Sequence, residues 1–429
     1  MRRRSFLVLG AGLGGAGLGL AGCATETPGG FYSASPGMAP GLARGYGAPE
    51  PLNSGAAPAG GEPAAPVGLL VPLSGPLAAI GGPMRQAAAL ALAAPGSPPL
   101  IVLDTGGSPQ GAAQAAQAAV ARGARLILGP LTAPETAAAA TVTQPAGVPM
   151  LAFTNDPAMA HPGVWVLGIT PGEQVDRLVA AALRDGRTRF AALLPDSPFG
   201  RLMAEGLAHA AAAAAVATPE IRFHSPGMAS INATTRGLSD YAGRWGPIAA
   251  QIRAAAASGT LAGRRKAAAL RKSAPPPPPF DALLLADTGE SLREIAAVLA
   301  YYVVGPPAVR ILGPALWADP RSDSGRLPGA WYATADPNAR AGFVAAFGAR
   351  YGAPPPNVAD LAYDAAAIAR VTAAAGYAAA ALTTATGFAG TDGVLALRAD
   401  GHVRRGLAVF AVTRGGGTLI APPPDRVPA

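Results

Sequence analysis

The stretch LILGPLTAPETAAAATVTQPAGVPMLAFTNDP, from Leu126 to Pro157, decides the fold. The apolar runs at its two ends predict short buried strands. Between them, Thr132 followed by Pro134 and Glu135 predicts the start of a helix, because a hydroxyl cap, an early proline and a first-turn acid all favour a helix N-terminus. Short apolar strands that alternate with alanine-rich helices are typical of a parallel sheet with helices on its faces.

The loops that follow these two strands, residues 129–133 and 153–156, are the first candidates for a site. Ligands of parallel sheets bind beyond the carboxyl ends of the strands, so the two loops are expected side by side. Either loop alone is interpreted as an ordinary turn between a strand and a helix. Two neighbouring loops of this kind favour a ligand site.

The first 22 residues have the features of a signal peptide. Arginines 2–4 precede a short apolar, glycine-rich run and a small-residue break, the pattern of an export signal. The start also resembles the twin-arginine signal, and residues 20–23 (LAGC) resemble the bacterial lipobox, in which Cys23 becomes lipidated. A GxGxxG match at residues 10–15 lies inside this peptide, outside any βαβ unit, so it does not indicate a dinucleotide site.

Residues 23–66 are rich in proline, glycine and alanine, and this composition predicts a disordered tether behind the lipidated cysteine. Cys23 is the only cysteine, which leaves no disulfide and no thiolate ligand. The four histidines lack metal-ligand spacing. We therefore expect no metal site, no cofactor and no catalytic residue, since the chain also lacks a GxSxG elbow and a P-loop.

Strands and helices alternate through residues 67–421, except at 225–279, which we interpret as an insertion. Residues 264–272 of this insertion carry five arginines and lysines. A basic patch can bind nucleic acid or anionic lipid. With a formal net charge of only +8 and an export signal, we interpret the patch as a solvated helix face and expect no nucleic-acid partner.

The chain resembles the type 1 periplasmic binding proteins, in particular the leucine-binding branch. The resemblance is carried by VGLLVPLSGP (67–76), by residues 126–131 and 148–153, and by residues 390–401. It implies an α/β fold of two doubly wound lobes joined by three crossovers, with ligand held in the interlobe cleft. Lobe 1 would comprise 67–185 and 313–385, and lobe 2 would comprise 186–312 and 386–421.

The resemblance also implies which residues line the cleft. They are the loop residues Ser74, Gly75, Leu131, Thr132, Ala133, Phe153, Thr154, Asn155, Phe199, Asp287, Glu290 and Trp317. Two positions depart from the amino-acid-binding pattern. Ile80 stands where an aromatic is common, and Ala315 stands where an acid can meet the ligand ammonium. A buried ammonium without a carboxylate would be destabilised by several kcal/mol, so Asp287 or Glu290 would have to substitute.

Residues 151–156, together with the lipobox and the long tether, resemble the penicillin-binding protein activators. These are outer-membrane lipoproteins of the same fold that stimulate peptidoglycan synthases. The resemblance implies a non-enzymatic periplasmic lipoprotein, anchored through Cys23, that regulates peptidoglycan synthesis. Its partner would be a peptidoglycan synthase or a small polar ligand. The alternative is the substrate-binding component of an ABC transporter for amino acids or related small solutes.

Overall fold

The computed structural model describes residues 50–52 and 64–427. The predicted signal peptide, Cys23 and most of the predicted tether lie outside the described residues. The strands are β1 (Glu50–Pro51), β2 (Val67–Val71), β3 (Leu100–Asp104), β4 (Leu126–Leu128), β5 (Met150–Ala152), β6 (Val164–Val166), β7 (Phe190–Pro195), β8 (Glu220–His224), β9 (Ala282–Leu285), β10 (Arg310–Gly313), β11 (Trp331–Thr334), β12 (Phe388–Gly390), β13 (Gly393–Leu397), β14 (Val403–Arg405), β15 (Ala408–Thr413) and β16 (Gly416–Ala421).

The α-helices follow the strands in the alternation that the sequence predicts. They are α1 (Ala78–Ala91), α2 (Pro109–Ala121), α3 (Ala133–Thr143), α4 (Pro171–Arg184), α5 (Pro198–Ala213), α6 (Met228–Leu238), α7 (Tyr241–Ala257), α8 (Leu261–Arg271), α9 (Gly289–Tyr301), α10 (Ala341–Tyr351), α11 (Ala359–Thr372) and α12 (Ala379–Leu382). Across the described ranges, none of these helices is both long and apolar enough to cross a membrane.

The first lobe is built on a five-stranded parallel sheet in the order β3-β2-β4-β5-β6. Every residue of the interior strand β2 is buried, as expected for a strand covered on both faces. Helices α1 and α11 pack together on one face, and α2 and α3 pack together on the other. The alanines of these helices allow close approach to the sheet.

The second lobe is built on a seven-stranded sheet in the order β16-β15-β11-β10-β9-β7-β8. Strands β7 to β11 pair in parallel, while β15 and β16 add an antiparallel edge. Helices α4 and α5 cover one face, and α6 and α9 cover the other. Two such lobes confirm the predicted α/β fold.

All three predicted lobe boundaries are wrong, and two of them concern elements that belong to the second lobe. Helix α4, predicted in lobe 1, packs through Val175 and Leu178 into the core of the second sheet. Strand β11, also predicted in lobe 1, pairs with β10 in the second sheet. The chain therefore passes to the second lobe before α4 and returns after β11. The alternation of strands and helices gave no signal for these changes of sheet, because both lobes continue the same pattern.

A small third sheet in the order β1-β12-β13-β14 lies beside the first lobe and shares its core. Residues 388–405 were predicted in lobe 2, but Phe388 and Leu395 are buried against α11 and α1 of lobe 1. The predicted tether is also too long. Glu50 and Pro51 pair with β12, and Leu52 is fully buried. Leu52 supplies an apolar anchor in a segment whose overall composition predicts disorder.

The predicted insertion is partly a regular element of the fold. Helix α6 connects β8 to β9 and packs on the second sheet through Ile231 and Leu238. Helices α7 and α8 form an additional hairpin. Helix α7 runs through Pro247.

Candidate functional site

The predicted site residues of the first lobe lie in the loops at the carboxyl edge of its sheet. The loop after β2 is organised by Asp104, at the end of β3. Asp104 Oδ1 accepts hydrogen bonds from the backbone N–H groups of Leu73 (2.8 Å), Ser74 (3.2 Å) and Gly106 (2.8 Å). A hydrogen bond from the Ser74 hydroxyl, together with these backbone bonds, lowers the pKa of Asp104. The Ser74 loop therefore already contains a carboxylate.

A second carboxylate occupies the Thr132 loop. Thr132 caps α3, as predicted, within a complete capping box with Glu135. Glu135 Oε2 accepts from the N–H (3.1 Å) and hydroxyl (2.7 Å) of Thr132, and Glu135 Oε1 accepts from the Thr105 hydroxyl (2.5 Å). Glu135 is fully buried. Its carboxylate joins the loops after β3 and β4 and occupies the donors that an anionic ligand group would need.

In the loop after β5, the predicted residues differ in accessibility. Phe153 and Thr154 are buried, and the Phe153 ring packs over Gly129, where an added Cβ would lie 3.1 Å from its Cε2. The Thr154 hydroxyl accepts from the Asp156 N–H at 3.1 Å. Asn155 is exposed. Phe153 and Thr154 therefore shape the loop, and Asn155 is the residue of the three that a ligand can reach.

In the second lobe, Asp287 is not available to a ligand. Its Oδ2 lies 3.2 Å from Nε2 of His224, and the side chains are 4% and 1% exposed. Burial disfavours protonation of His224, but the hydrogen bond and charge of Asp287 prevail and raise the pKa of His224. The prediction that Asp287 could pair with a ligand ammonium is wrong, because His224 is already its partner.

Trp317 is also withdrawn from the surface, and only 2% of it is exposed. Its indole N–H donates to the Asp287 carbonyl at 2.9 Å, and its ring packs against Gly313. The neighbouring Ala315 N–H donates to Gln174 Oε1 at 2.8 Å. Glu290, in the first turn of α9, is exposed. Of the two acids predicted as substitutes at this edge, Glu290 alone is accessible.

The remaining predicted residues are placed as follows. Ser74 and Gly75 are exposed at the edge of the first lobe, Leu131, Thr132 and Ala133 are partly buried there, and Phe199 is partly buried against the core of the second lobe. All of the predicted residues follow strands of the two parallel sheets. The loop assignment is therefore consistent with the topology, but several of the side chains support the loops and leave little free surface for a ligand.

A buried group of charged residues, which we call the hinge cluster, lies where the chain changes lobe. Its members are Arg340, Asp360, Asp364, Asp392 and Arg405. Arg340 donates to both oxygens of Asp360, Nε to Oδ2 and Nη2 to Oδ1, each at 2.8 Å. Arg405 Nη2 donates to the Leu167 carbonyl at 2.7 Å, and its Nη1 lies 3.9 Å from Asp392 Oδ2.

The positions of these residues link the three crossovers. Leu167 lies between β6 and α4, Arg340 lies between β11 and α10, and Arg405 ends β14, which precedes the return to the second lobe. Asp360 and Asp364 are one turn apart on α11, and Asp364 Oδ1 accepts from the Thr391 N–H at 2.8 Å. The sequence does not by itself predict this cluster, although two aspartates four residues apart on one buried helix are a signal of a buried charged site.

Burial governs the protonation of the two aspartates on α11. It raises the pKa of Asp364 to about 7, with a further contribution from the charge of Asp392. It raises the pKa of Asp360 to about 8 against the opposing effect of Arg340, and the Asp392 carboxyl adds to the rise. Asp364 Oδ2 has no hydrogen-bond partner among the described residues. The cluster is therefore sensitive to pH near neutrality.

A groove of about 440 Å³ lies beside the hinge, between α4 and α5 on one side and the β13–β14 turn on the other. Glu173 and Asp176 contribute acidic groups, and Arg398 and Arg404 contribute basic ones. Burial raises the pKa of Asp176. The predicted site loops do not line this groove, which carries charges of both signs and is wide enough for a small polar molecule.

The two α/β lobes and the three crossovers between them define the class of protein, and comparison with known families agrees. A family model described as Periplasmic binding protein matches residues 65–417, and the chain belongs to this family. Its members bind small solutes and are typically not enzymes. A search of curated protein sequences finds no significant match.

Solved structures of two functional kinds resemble the chain. A putative branched-chain amino acid ABC transporter from Rhodospirillum rubrum is 21% identical, with a TM-score of 0.63 over 83% of this chain and 100% of that chain. Leucine-binding protein LivK from Thermotoga maritima is 16% identical, with a TM-score of 0.51 over 84% of this chain and 99% of that chain.

The C-domain of LpoA from Haemophilus influenzae, described as a regulator of PBP1A, is 15% identical, with a TM-score of 0.57 over 82% of this chain and 99% of that chain. The chain spans 58% of full-length LpoA. At these identities the similarities show the fold alone, and the structural neighbours are divided between transport and regulation.

Proposed function

We propose that this protein is a non-enzymatic cell-envelope lipoprotein, anchored through Cys23, that regulates a peptidoglycan synthase through a protein interface. The observation that carries the proposal is the state of the predicted cleft loops. Asp104 and Glu135 occupy the donors that a ligand carboxylate would use, and His224 occupies Asp287. A free amino acid finds few unpaired groups at these loops, so recognition of an amino acid is not their function.

Two further features support a regulatory role. The LpoA C-domain, described as a regulator of PBP1A, has the same fold and nearly the same length as the folded body here. The predicted lipobox and tether fit a protein that works at the envelope, and we favour the outer membrane.

Measuring the rate of peptidoglycan synthesis with and without the protein tests the proposal directly. The purified chain is added to a bifunctional peptidoglycan synthase from the same organism, and glycan polymerisation and peptide cross-linking are measured from labelled lipid-linked precursor. We expect a several-fold increase in the rate at an equimolar ratio. A heat-denatured sample is the matched control. An unchanged rate with every synthase of the organism would refute the regulatory function.

Isothermal titration calorimetry tests whether loops whose polar groups are already paired can bind a free amino acid. We expect leucine, isoleucine and valine to bind no more tightly than about 10 μM, which corresponds to about 7 kcal/mol. An ammonium left without a free carboxylate in a nearly dry cleft is costly, and Glu290 is the accessible acid of the second edge. A leucine complex with a sub-micromolar Kd, unaffected by Glu290→Ala, would contradict this prediction.

A second candidate function is a solute receptor for an ABC transporter. The groove between α4 and the β13–β14 turn favours it, because the acidic and basic side chains that line the groove could pair with the charges of a small zwitterionic or dipolar solute. The two functions are distinguished by the same experiments. A receptor binds a solute tightly and leaves synthase activity unchanged, whereas a regulator changes the synthase rate.

A further inference from the structure

The α7–α8 hairpin has an unusual charge composition. Residues 241–280 contain seven arginines and lysines and no aspartate or glutamate. The formal net charge of the whole chain is +8, so this tenth of the sequence accounts for nearly all of it. Charges of both signs are interspersed through the remainder of the chain, as is usual for a protein surface.

One of the seven cations has a structural role. Arg244 is the only buried residue of α7, and it donates to the carbonyls of Pro276 (2.6 Å), Ser239 (3.3 Å), Tyr302 (3.2 Å) and Val303 (3.2 Å). Tyr241, stacked on Trp245 and in edge contact with Tyr302, packs beside it. These contacts fix the base of the hairpin to the second lobe.

The other six cations are free to act on a partner. They are exposed, and no carboxylate of the described residues lies within 4 Å of any of them; they are Arg253, Arg264, Arg265, Lys266, Arg271 and Lys272. Helix α8 buries only Gly263 and Ala267. A helix that buries so little contributes little to the core, so the fold alone does not explain why four cations lie on α8 and a fifth, Lys272, directly follows it.

We propose that the α7–α8 hairpin docks the protein on an anionic phospholipid surface. The patch presents cations on an alanine-rich helix, with Leu261 exposed at its start. It has no exposed aromatic anchor on α8, the kind of residue that dominates protein–protein interfaces. A lipid headgroup surface requires many cations and no shape complementarity, and each cation near such a surface raises binding about fivefold. This inference does not depend on the regulatory function.

Vesicle sedimentation with the full chain tests the proposal. The lipids are phosphatidylcholine alone or phosphatidylcholine with about 30% phosphatidylglycerol, which supplies the anionic headgroups. The hairpin variant carries Arg264→Gln, Arg265→Gln, Lys266→Gln, Arg271→Gln and Lys272→Gln. The control variant removes the same charge from exposed arginines elsewhere, through Arg85→Gln, Arg122→Gln, Arg125→Gln, Arg350→Gln and Arg414→Gln. Both variants retain the same N-terminal segment.

We expect the wild type and the control variant to bind the anionic vesicles in preference to phosphatidylcholine. The hairpin variant should bind them at least about 100-fold more weakly, and 0.5 M salt should abolish the preference, because surface charges are screened within a few ångströms at that concentration. An equal loss in both variants would mean that net charge alone acts and would overturn the proposal. So would the absence of any preference in the wild type. Capture of the wild type, but not the hairpin variant, by immobilised polyglutamate would then assign the hairpin to an acidic protein.

Discussion

Replacing Arg340 with alanine is expected to lower the free energy of unfolding by roughly 3 kcal/mol at pH 8, and by about 1 kcal/mol at pH 5. The substitution removes both hydrogen bonds to Asp360, which is 1% exposed. At pH 8, near the pKa of Asp360, the ionised part of the buried carboxyl population loses its counter-charge. At pH 5 Asp360 is already protonated, since its pKa lies at about 8, so the penalty is smaller. Urea denaturation at the two pH values measures both effects.

Arg350 provides the control for this substitution. It lies on the same helix, α10, but it is exposed and forms no ion pair with any described residue. Arg350→Ala should change the stability by less than about 0.5 kcal/mol at either pH. A loss that is equal at pH 5 and pH 8 in Arg340→Ala would show that Asp360 does not take up the proton.

The hinge cluster should also make the wild-type protein more stable in mild acid than in mild base. The folded-state pKa of Asp364 is raised to about 7, above the value of an unfolded aspartate. Its contribution is therefore complete below about pH 4 and is lost as the pH rises through 7. We expect the free energy of unfolding to fall by roughly 2 to 3 kcal/mol between pH 5 and pH 8 from this group.

Asp364→Asn tests the assignment of that pH dependence. The amide keeps an oxygen for the Thr391 N–H and carries no titratable proton. The variant should therefore lose the roughly 2 to 3 kcal/mol share of the decrease that comes from Asp364 and keep the share from Asp360, whose pKa is also raised. Asp336→Asn, on the loop before α10, is a control that should preserve it. A variant that keeps the wild-type slope would assign the pH dependence to other groups.

Local signals made much of the fold predictable. The cap formed by Thr132 and Glu135, the proline after it and the apolar strands on either side act within a few residues of one another, so they can be recognised in the sequence. The same signals placed the loops at the carboxyl edges of the sheets. The lobe boundaries were harder to predict, because α4 and β11 show the same periodicity whichever sheet they join.

The prediction of site residues was wrong where the role of a side chain depends on a partner far away in the sequence. Asp287 and His224 are 63 residues apart in the chain, and Arg340 and Asp360 are 20 apart, yet each pair is in contact. No spacing pattern in the sequence marks such pairs, because residues that are far apart in the chain come into contact only when the chain has folded. Asp287 and Trp317 therefore looked like ligand residues in the sequence, while the structure uses them to join loops of the second lobe.

In the lipoprotein proposed above, the burial of Leu52 would limit how far the folded body can stand from a lipid on Cys23. The segment Glu50–Leu52 is fixed to the small third sheet, and Arg370 donates to the Leu52 carbonyl. The leash is then residues 24–49, which reach at most roughly 90 Å when fully extended, compared with roughly 150 Å for a leash ending at residue 66. In such a lipoprotein the maximum distance between the lipid and the folded body would be set by a two-residue strand, and loss of Leu52 from its site would lengthen that distance by more than half.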